Sequence, residues 1–204
     1  CLEHYGYVEM IVRAFGYRRH AAMSARETNA IRALLRLLLS LEERVERDEP
    51  LTVLNIRDLH SSESGFAVPD RCVASVDLHI PPAHDAHAYA QGLREFVGTH
   101  LEASSVTGHE VVFDTLATGF RGSENDPFPR LLRAAYAAHD RRWNPIAFKS
   151  HSDANLLHDA GCATVILGPG DLAKAHTRAE AVETAQVSAA ADMYATVLEQ
   201  LRNT

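Results

Sequence analysis

The chain has little that would staple, anchor or electrostatically attach it. It holds 3 cysteines, Cys1, Cys72 and Cys162, scattered and odd in number. That excludes a disulfide framework and fits a reducing cytosol. Cys72 and Cys162 sit in apolar stretches, where small buried hydrophobes are expected. No apolar run approaches the roughly 20 residues that span a bilayer. The greasiest stretch, residues 34–41, is closely flanked by charge. Basic residues are in deficit, 20 against 27 acidic, for a net charge of -7. That balance argues against nucleic acid or an anionic membrane as the main partner. Methionine is missing from position 1. The chain opens on Cys1 and enters a strand almost at once, so a fragment or processed form is expected.

What is present is ordinary globular material. An apolar fraction of 46% over 204 residues suits one large or two small domains. Residues 5–15 mix β-branched and aromatic side chains and read as a strand, ended by Gly16. Ser24 and Glu27 form a capping box, and Ile31, Leu34, Leu35, Leu38, Leu41 and Val45 recur at helical spacing. This helix stops before Pro50, and residues 51–56 form a second strand. Cys72, Ala74, Val76, Leu78 and Ile80 alternate with Val73, Ser75, Asp77 and His79, the clearest period-two signal in the chain. A second amphipathic helix carries Ala86, Tyr89, Ala90, Leu93, Phe96, Val97 and Leu101, and residues 110–116 form a fourth strand. The order β-α-β-β-α-β over residues 5–118 is a ferredoxin-like plan, an antiparallel sheet with helices on one face. Such a fold implies no function by itself.

After Gly119 the pattern changes to an α/β segment, residues 119–204. Helices are expected over 127–139 and 152–159, the latter capped by Gly161, with strands over 145–148 and 163–167. Two strands make a poor sheet, so this region is expected to complete one whose other strands lie elsewhere. The strand 163–167 runs into Gly168-Pro169-Gly170 and a loop ending at His176. Thr177 and Glu180 form a second capping box, so the last helix is expected over 178–202. A histidine aimed by a strand on one side and a capped helix on the other suits metal ligation. Among 12 histidines, an ordinary surface loop residue is the competing reading.

Three ordered pieces carry a resemblance. Gly168-Pro169-Gly170 with Ala175-His176-Thr177 and Glu180 resembles the C-terminal signature of the zinc-dependent amidohydrolase and exopeptidase family. That family includes acetylornithine deacetylase, succinyl-diaminopimelate desuccinylase, aminoacylase and carboxypeptidase G. Gly16-Tyr17-Arg18-Arg19-His20, followed by Asn29-Ala30-Ile31, resembles the opening of its lid, or dimerisation, domain. Ser152-Asp153-Ala154 resembles a substrate-pocket element. The resemblance implies a ferredoxin-like lid followed by part of a catalytic domain, and hydrolysis of amide bonds in N-acyl amino acids or short peptides. It implies two zinc ions, with cobalt as a substitute, and a homodimer formed through the lid. His176 would be a metal ligand, and His20 a catalytic residue reaching the neighbour's site. Ser152, Asp153, Gly168, Pro169, Gly170 and Asn29 would bind substrate, although Ser152 and Asn29 also read as helix caps. Glu3 stands near where the family places a further ligand. The family's N-terminal half, with most ligands and the general base, has no counterpart here. Two lid positions depart from the pattern: Ala67-Val68-Pro69 lacks an asparagine, and Asp77-Leu78-His79 lacks an arginine. Ser150-His151 stands where the family has Gly-Thr. A bidentate arginine is not replaced by histidine without loss. The alternative is a non-catalytic, dimerising ligand-binding or regulatory module.

Overall fold

The computed structural model describes residues 1–24, 28–104 and 106–203. It divides into two compact units. One comprises His4–Phe120 with Lys149–Asn155, the other Cys1–Glu3, Arg121–Phe148 and Leu156–Thr204.

The first unit is built on β1 (Gly6–Phe15), α1 (Ala30–Asp48), β2 (Val53–Ser61), β3 (Arg71–Ile80), α2 (Ala86–Ala103) and β4 (Gly108–Ala117). The strands lie in the order β2-β3-β1-β4, and every neighbouring pair is antiparallel. This is the ferredoxin-like arrangement expected from the element order. Side chains alternate across a strand, so the even positions of β1 and β3 share one face. Val8, Met10, Val12 and Ala14 meet Cys72, Ala74, Val76, Leu78 and Ile80 there, all essentially inaccessible. Against them α1 sets Leu34, Leu37, Leu38, Leu41 and Val45, and α2 sets Ala90, Leu93, Val97 and Leu101. Each fully buried aliphatic side chain contributes about 1.5–3 kcal/mol of transfer free energy.

Two boundaries differ from expectation. The helix α1 starts at Ala30, where the Asn29 side chain accepts the Arg32 N–H at 3.0 Å. Ser24 instead closes a 3-10 turn over Ala21–Met23, and Glu27, the other half of the expected capping box, lies outside the described residues. The strand β2 runs five residues past Ile56, because its pairing with β3 continues to Ser61 opposite Cys72. The register shifts between Ile56 and Asp58, leaving Arg57 as the extra residue of a β-bulge.

In the second unit α3 (Pro127–Ala138) packs on α5 (Thr184–Arg202) through Leu132, Ala135, Met193 and Val197. Two expectations fail here. Residues 163–167 form no strand, because among the described residues their backbone pairing stops at Cys1: the Ile166 N–H reaches Cys1 O, the Cys1 amino group donates to Ile166 O, and Tyr194 Oη donates to Leu167 O. The last helix begins at Thr184 rather than near 178, since Thr177 and Glu180 are spent inside a turn. The short helix α4 (Asp153–Asp159) does end at a left-handed glycine, Gly161, with φ 84°. Cys72 is buried as expected, whereas Cys162, just past that cap, is exposed. No described helix is long and apolar enough to cross a membrane.

Candidate functional site

Two constellations carry chemistry, one in each unit. In the second unit, Gly168, Pro169 and Gly170 line a cavity of about 740 Å³, together with Tyr136, Trp143 and Glu180. That is the size of a small-molecule site. Gly170 has φ 101°, open to glycine alone without strain, and its N–H donates to Gln186 Oε1 at 2.9 Å. His176 follows in the left-handed region, with φ 61°. A non-glycine residue there costs on the order of 1 kcal/mol. The Glu180 carboxylate holds the pose by accepting the His176 N–H at 2.8 Å. Thus the residue read as a helix cap is instead the clamp that fixes the histidine backbone. The ring itself is exposed. Among the described residues no group of three or more His, Cys, Asp or Glu is placed to hold a metal ion. Glu3 is engaged by Arg121 Nε at 3.0 Å. A tetrahedral metal needs about four ligands.

In the first unit the chemistry lies on the sheet face opposite the helices. Tyr7, Glu9, Asp77 and His79 point to it, and the register pairs Glu9 with Asp77 and Tyr7 with His79. Arg57, released by its bulge, is ion-paired with Glu9 and brings Nε to 3.5 Å from Asp77 Oδ1. Thr115 Oγ1 donates to the second Glu9 oxygen at 3.3 Å. Among the described residues, Asp77 Oδ1 and His79 Nδ1 are buried without a hydrogen bond. Burial holds the His79 imidazole below its ordinary pKa, against the opposing pull of Asp77. Burial, followed by the charges of Asp77 and Glu9, pushes the Tyr7 phenol up.

The segment Lys149–Asn155 belongs to this unit. Its His151 ring stacks on Tyr7 with centroids 3.9 Å apart and lies 6.5 Å from His79. Ser152 Oγ sits 2.9 Å from His4 Nε2, while His4 Nδ1 faces Tyr5 O at 3.0 Å. A carbonyl only accepts, so Nδ1 carries the proton and the Ser152 hydroxyl donates to Nε2. Burial keeps this ring neutral by lowering its pKa. The Ser152 oxygen also accepts the Ala154 N–H at 3.2 Å, which leaves it one further lone pair. Asp153 is exposed in the first turn of α4.

The remaining sequence candidates lie near the start of the first unit. His20 is exposed, and its Nδ1 accepts the Ala22 N–H at 3.3 Å, which places the proton of the neutral ring on Nε2. The Asn29 oxygen caps α1 by accepting the Arg32 N–H. The motifs did not single out Tyr7, Glu9, Arg57 or Asn155. The period of β1 puts Tyr7 and Glu9 on the face of Asp77 and His79 and was the available signal.

Residues 2–105 match the model of the peptidase dimerisation domain. No curated protein matches the chain. A tripeptidase from Staphylococcus aureus superposes with a TM-score of 0.79 at 17% identity, over 100% of this chain and 53% of its own. A hydantoinase/carbamoylase-family amidase from Burkholderia vietnamiensis gives 0.74 at 15%, over 97% and 48%. An aminopeptidase PepT from Bacillus cereus gives 0.70 at 16%, over 98% and 53%. The chain spans about half the length of these structures. With its dimerisation domain matched over more than half of its residues, the chain belongs to the peptidase and amidohydrolase family that its motifs resemble.

Proposed function

We propose that this chain supplies the lid, residues 5–118, and the C-terminal part of the catalytic domain, residues 119–204, of a metal-dependent hydrolase. Its substrates are amide bonds in N-acyl amino acids or short peptides, and its compartment is the cytoplasm. The observation that carries the reading is the dimerisation-domain match on a ferredoxin-like sheet, followed in family order by a strained, clamped His176. Strained residues cluster at functional sites. In this reading His176 is one zinc ligand, and the other ligands come from outside these 204 residues. His20, with its proton on the exposed Nε2, serves as a donor to negative charge developing on the scissile carbonyl oxygen. Gly168, Pro169, Gly170, Ser152 and Asp153 contact substrate. Asn29 supports the lid from its capping position.

Dimerisation uses the free edge of the lid sheet. The strand β2 is an outer strand with Val53, Ile56 and Leu59 exposed, and such an edge is a template for a second copy. Light scattering should report a dimer, and Leu59→Lys should shift it toward monomer. A monomer at high concentration refutes the assembly.

The hydrolytic reading is tested in two steps. Zinc titrated into the 204-residue chain should show no tight stoichiometric binding. Micromolar binding of two ions would place the whole centre within it and overturn the ligand assignment. In the protein as expressed from its gene, assayed on N-acyl amino acids and di- and tripeptides, His176→Ala should abolish turnover. Unchanged turnover refutes the His176 ligand assignment, and a wild-type protein that hydrolyses none of these substrates favours the second reading, a dimerising regulatory module.

A further inference from the structure

We infer that Asn155 is the positioning residue of the turn at residues 150–153, holding it on the sheet of the ferredoxin-like unit. The chain crosses that unit for only seven residues, Lys149–Asn155. So short a segment carries little apolar surface of its own to hold it there. Asn155 is 1% exposed, and its amide is fully used. Nδ2 donates to Tyr5 O at 3.2 Å and to Thr118 O at 2.7 Å, carbonyls just before β1 and just after β4. Oδ1 accepts the Ser152 N–H at 3.0 Å. One side chain thus bonds three backbone groups from three separate stretches. It ties the turn to both strand ends at once and brings His151 over Tyr7. The His4 bond to Ser152 is a second, weaker tie, since it fixes one hydroxyl.

That this turn matters for activity rests on the reading above, in which Ser152 and Asp153 face substrate. A buried amide satisfying three backbone groups is costly to lose, because Thr118 O and the Ser152 N–H would lose their Asn155 partner and Tyr5 O would keep only the His4 Nδ1–H.

The test separates anchor from cap. Asn155→Asp keeps an acceptor for the Ser152 N–H but has no N–H for the two carbonyls, whereas Asn155→Ala loses both. In the 204-residue chain the His151 ring protons should be shifted upfield by the Tyr7 ring, a shift that Tyr7→Leu removes. Both Asn155 variants should lose it while the β1 and β3 amide resonances stay in place. Retention of the shift in Asn155→Asp overturns the proposal. Where a variant fails to fold, amide exchange of Ser152 in the wild type decides. Protection comparable to β1 supports the anchor, and exchange as fast as an open turn refutes it. In the amide-hydrolysis assay, Asn155→Asp should raise KM by about 10-fold with kcat changed less than about 3-fold. An unchanged KM counts against the role in substrate binding. If the wild type hydrolyses no amide, the functional reading falls, and the resonance experiment still judges the anchor.

Discussion

Glu9 and Asp77 are direct partners across β1 and β3, so two carboxylates are held side by side on one face of the sheet. Directly opposed like charges destabilise a sheet. At a separation of about 5 Å and an effective dielectric near 20, Coulomb repulsion is about 3 kcal/mol. Both side chains are largely buried, 17% and 8% exposed, so water removes little of it. The cation that offsets it is Arg57, whose own side chain is 47% exposed. Solvent screens that half, which reduces the expected contribution to about 1–2 kcal/mol. Arg57→Met keeps most of the stem and removes the charge. Urea unfolding at pH 7 should show the variant less stable by about 1–2 kcal/mol. Adding Glu9→Gln should recover about 1 kcal/mol, because one of the two opposed charges is gone. An Arg57→Met variant within about 0.3 kcal/mol of wild type, or two strictly additive substitutions, would show that the carboxylates are not coupled through Arg57.

The same geometry gives three further outcomes. Asn29→Ala should cost about 1 kcal/mol by removing the α1 cap, and Asn29→Asp should restore it. Equal stability of all three proteins in thermal melts would contradict the capping role. Leu37→Ala, at a site 1% exposed between α1 and the sheet, should cost about 2–5 kcal/mol in the same assay. Burial depresses the His4 and His79 imidazoles, so the folded chain binds fewer protons than the unfolded one. Their contribution to stability is complete above about pH 6.5 and is lost as pH falls through the folded values. The urea midpoint should therefore drop between pH 7 and pH 5, and replacing both histidines by Gln should flatten the drop. A slope unaffected by that double substitution would assign the acid sensitivity to other groups.

The ferredoxin-like unit was readable because its core is periodic. Cys72 to Ile80 repeat every second residue, and Leu34 to Val45 follow the helix period, so each element announces which face it buries. The stretch 163–167 has the same apolar, β-branched composition and fails as a strand. A strand exists only where another backbone completes its ladder, and composition does not report whether one is present. The second capping box misleads for a related reason. Thr177 accepts the Ala179 N–H as a cap would, but Glu180 reaches past Thr177 to the His176 N–H, and the two bonds close a turn rather than open a helix. A cap needs a helix with an apolar stripe to bury behind it, and in this stretch that stripe begins only with α5.

The candidate site divides along the same line. His176, His20 and the glycines stand in contiguous motifs, so their identities could be read while their surroundings could not. The ion cluster depends on a bulge at Arg57, one extra residue that turns a side chain to the other face and breaks the alternation that would otherwise locate it. Asn155 is further from legibility still. Its partner carbonyl at Tyr5 is 150 residues away in sequence, and an Asn after Ser-Asp-Ala reads as one more polar residue in a short helix. Backbone carbonyls carry no sequence signature, so a side chain that works by bonding them has none either. Its importance shows only in burial, where an amide at 1% exposure has no water to turn to and all its bonds must be made by the protein.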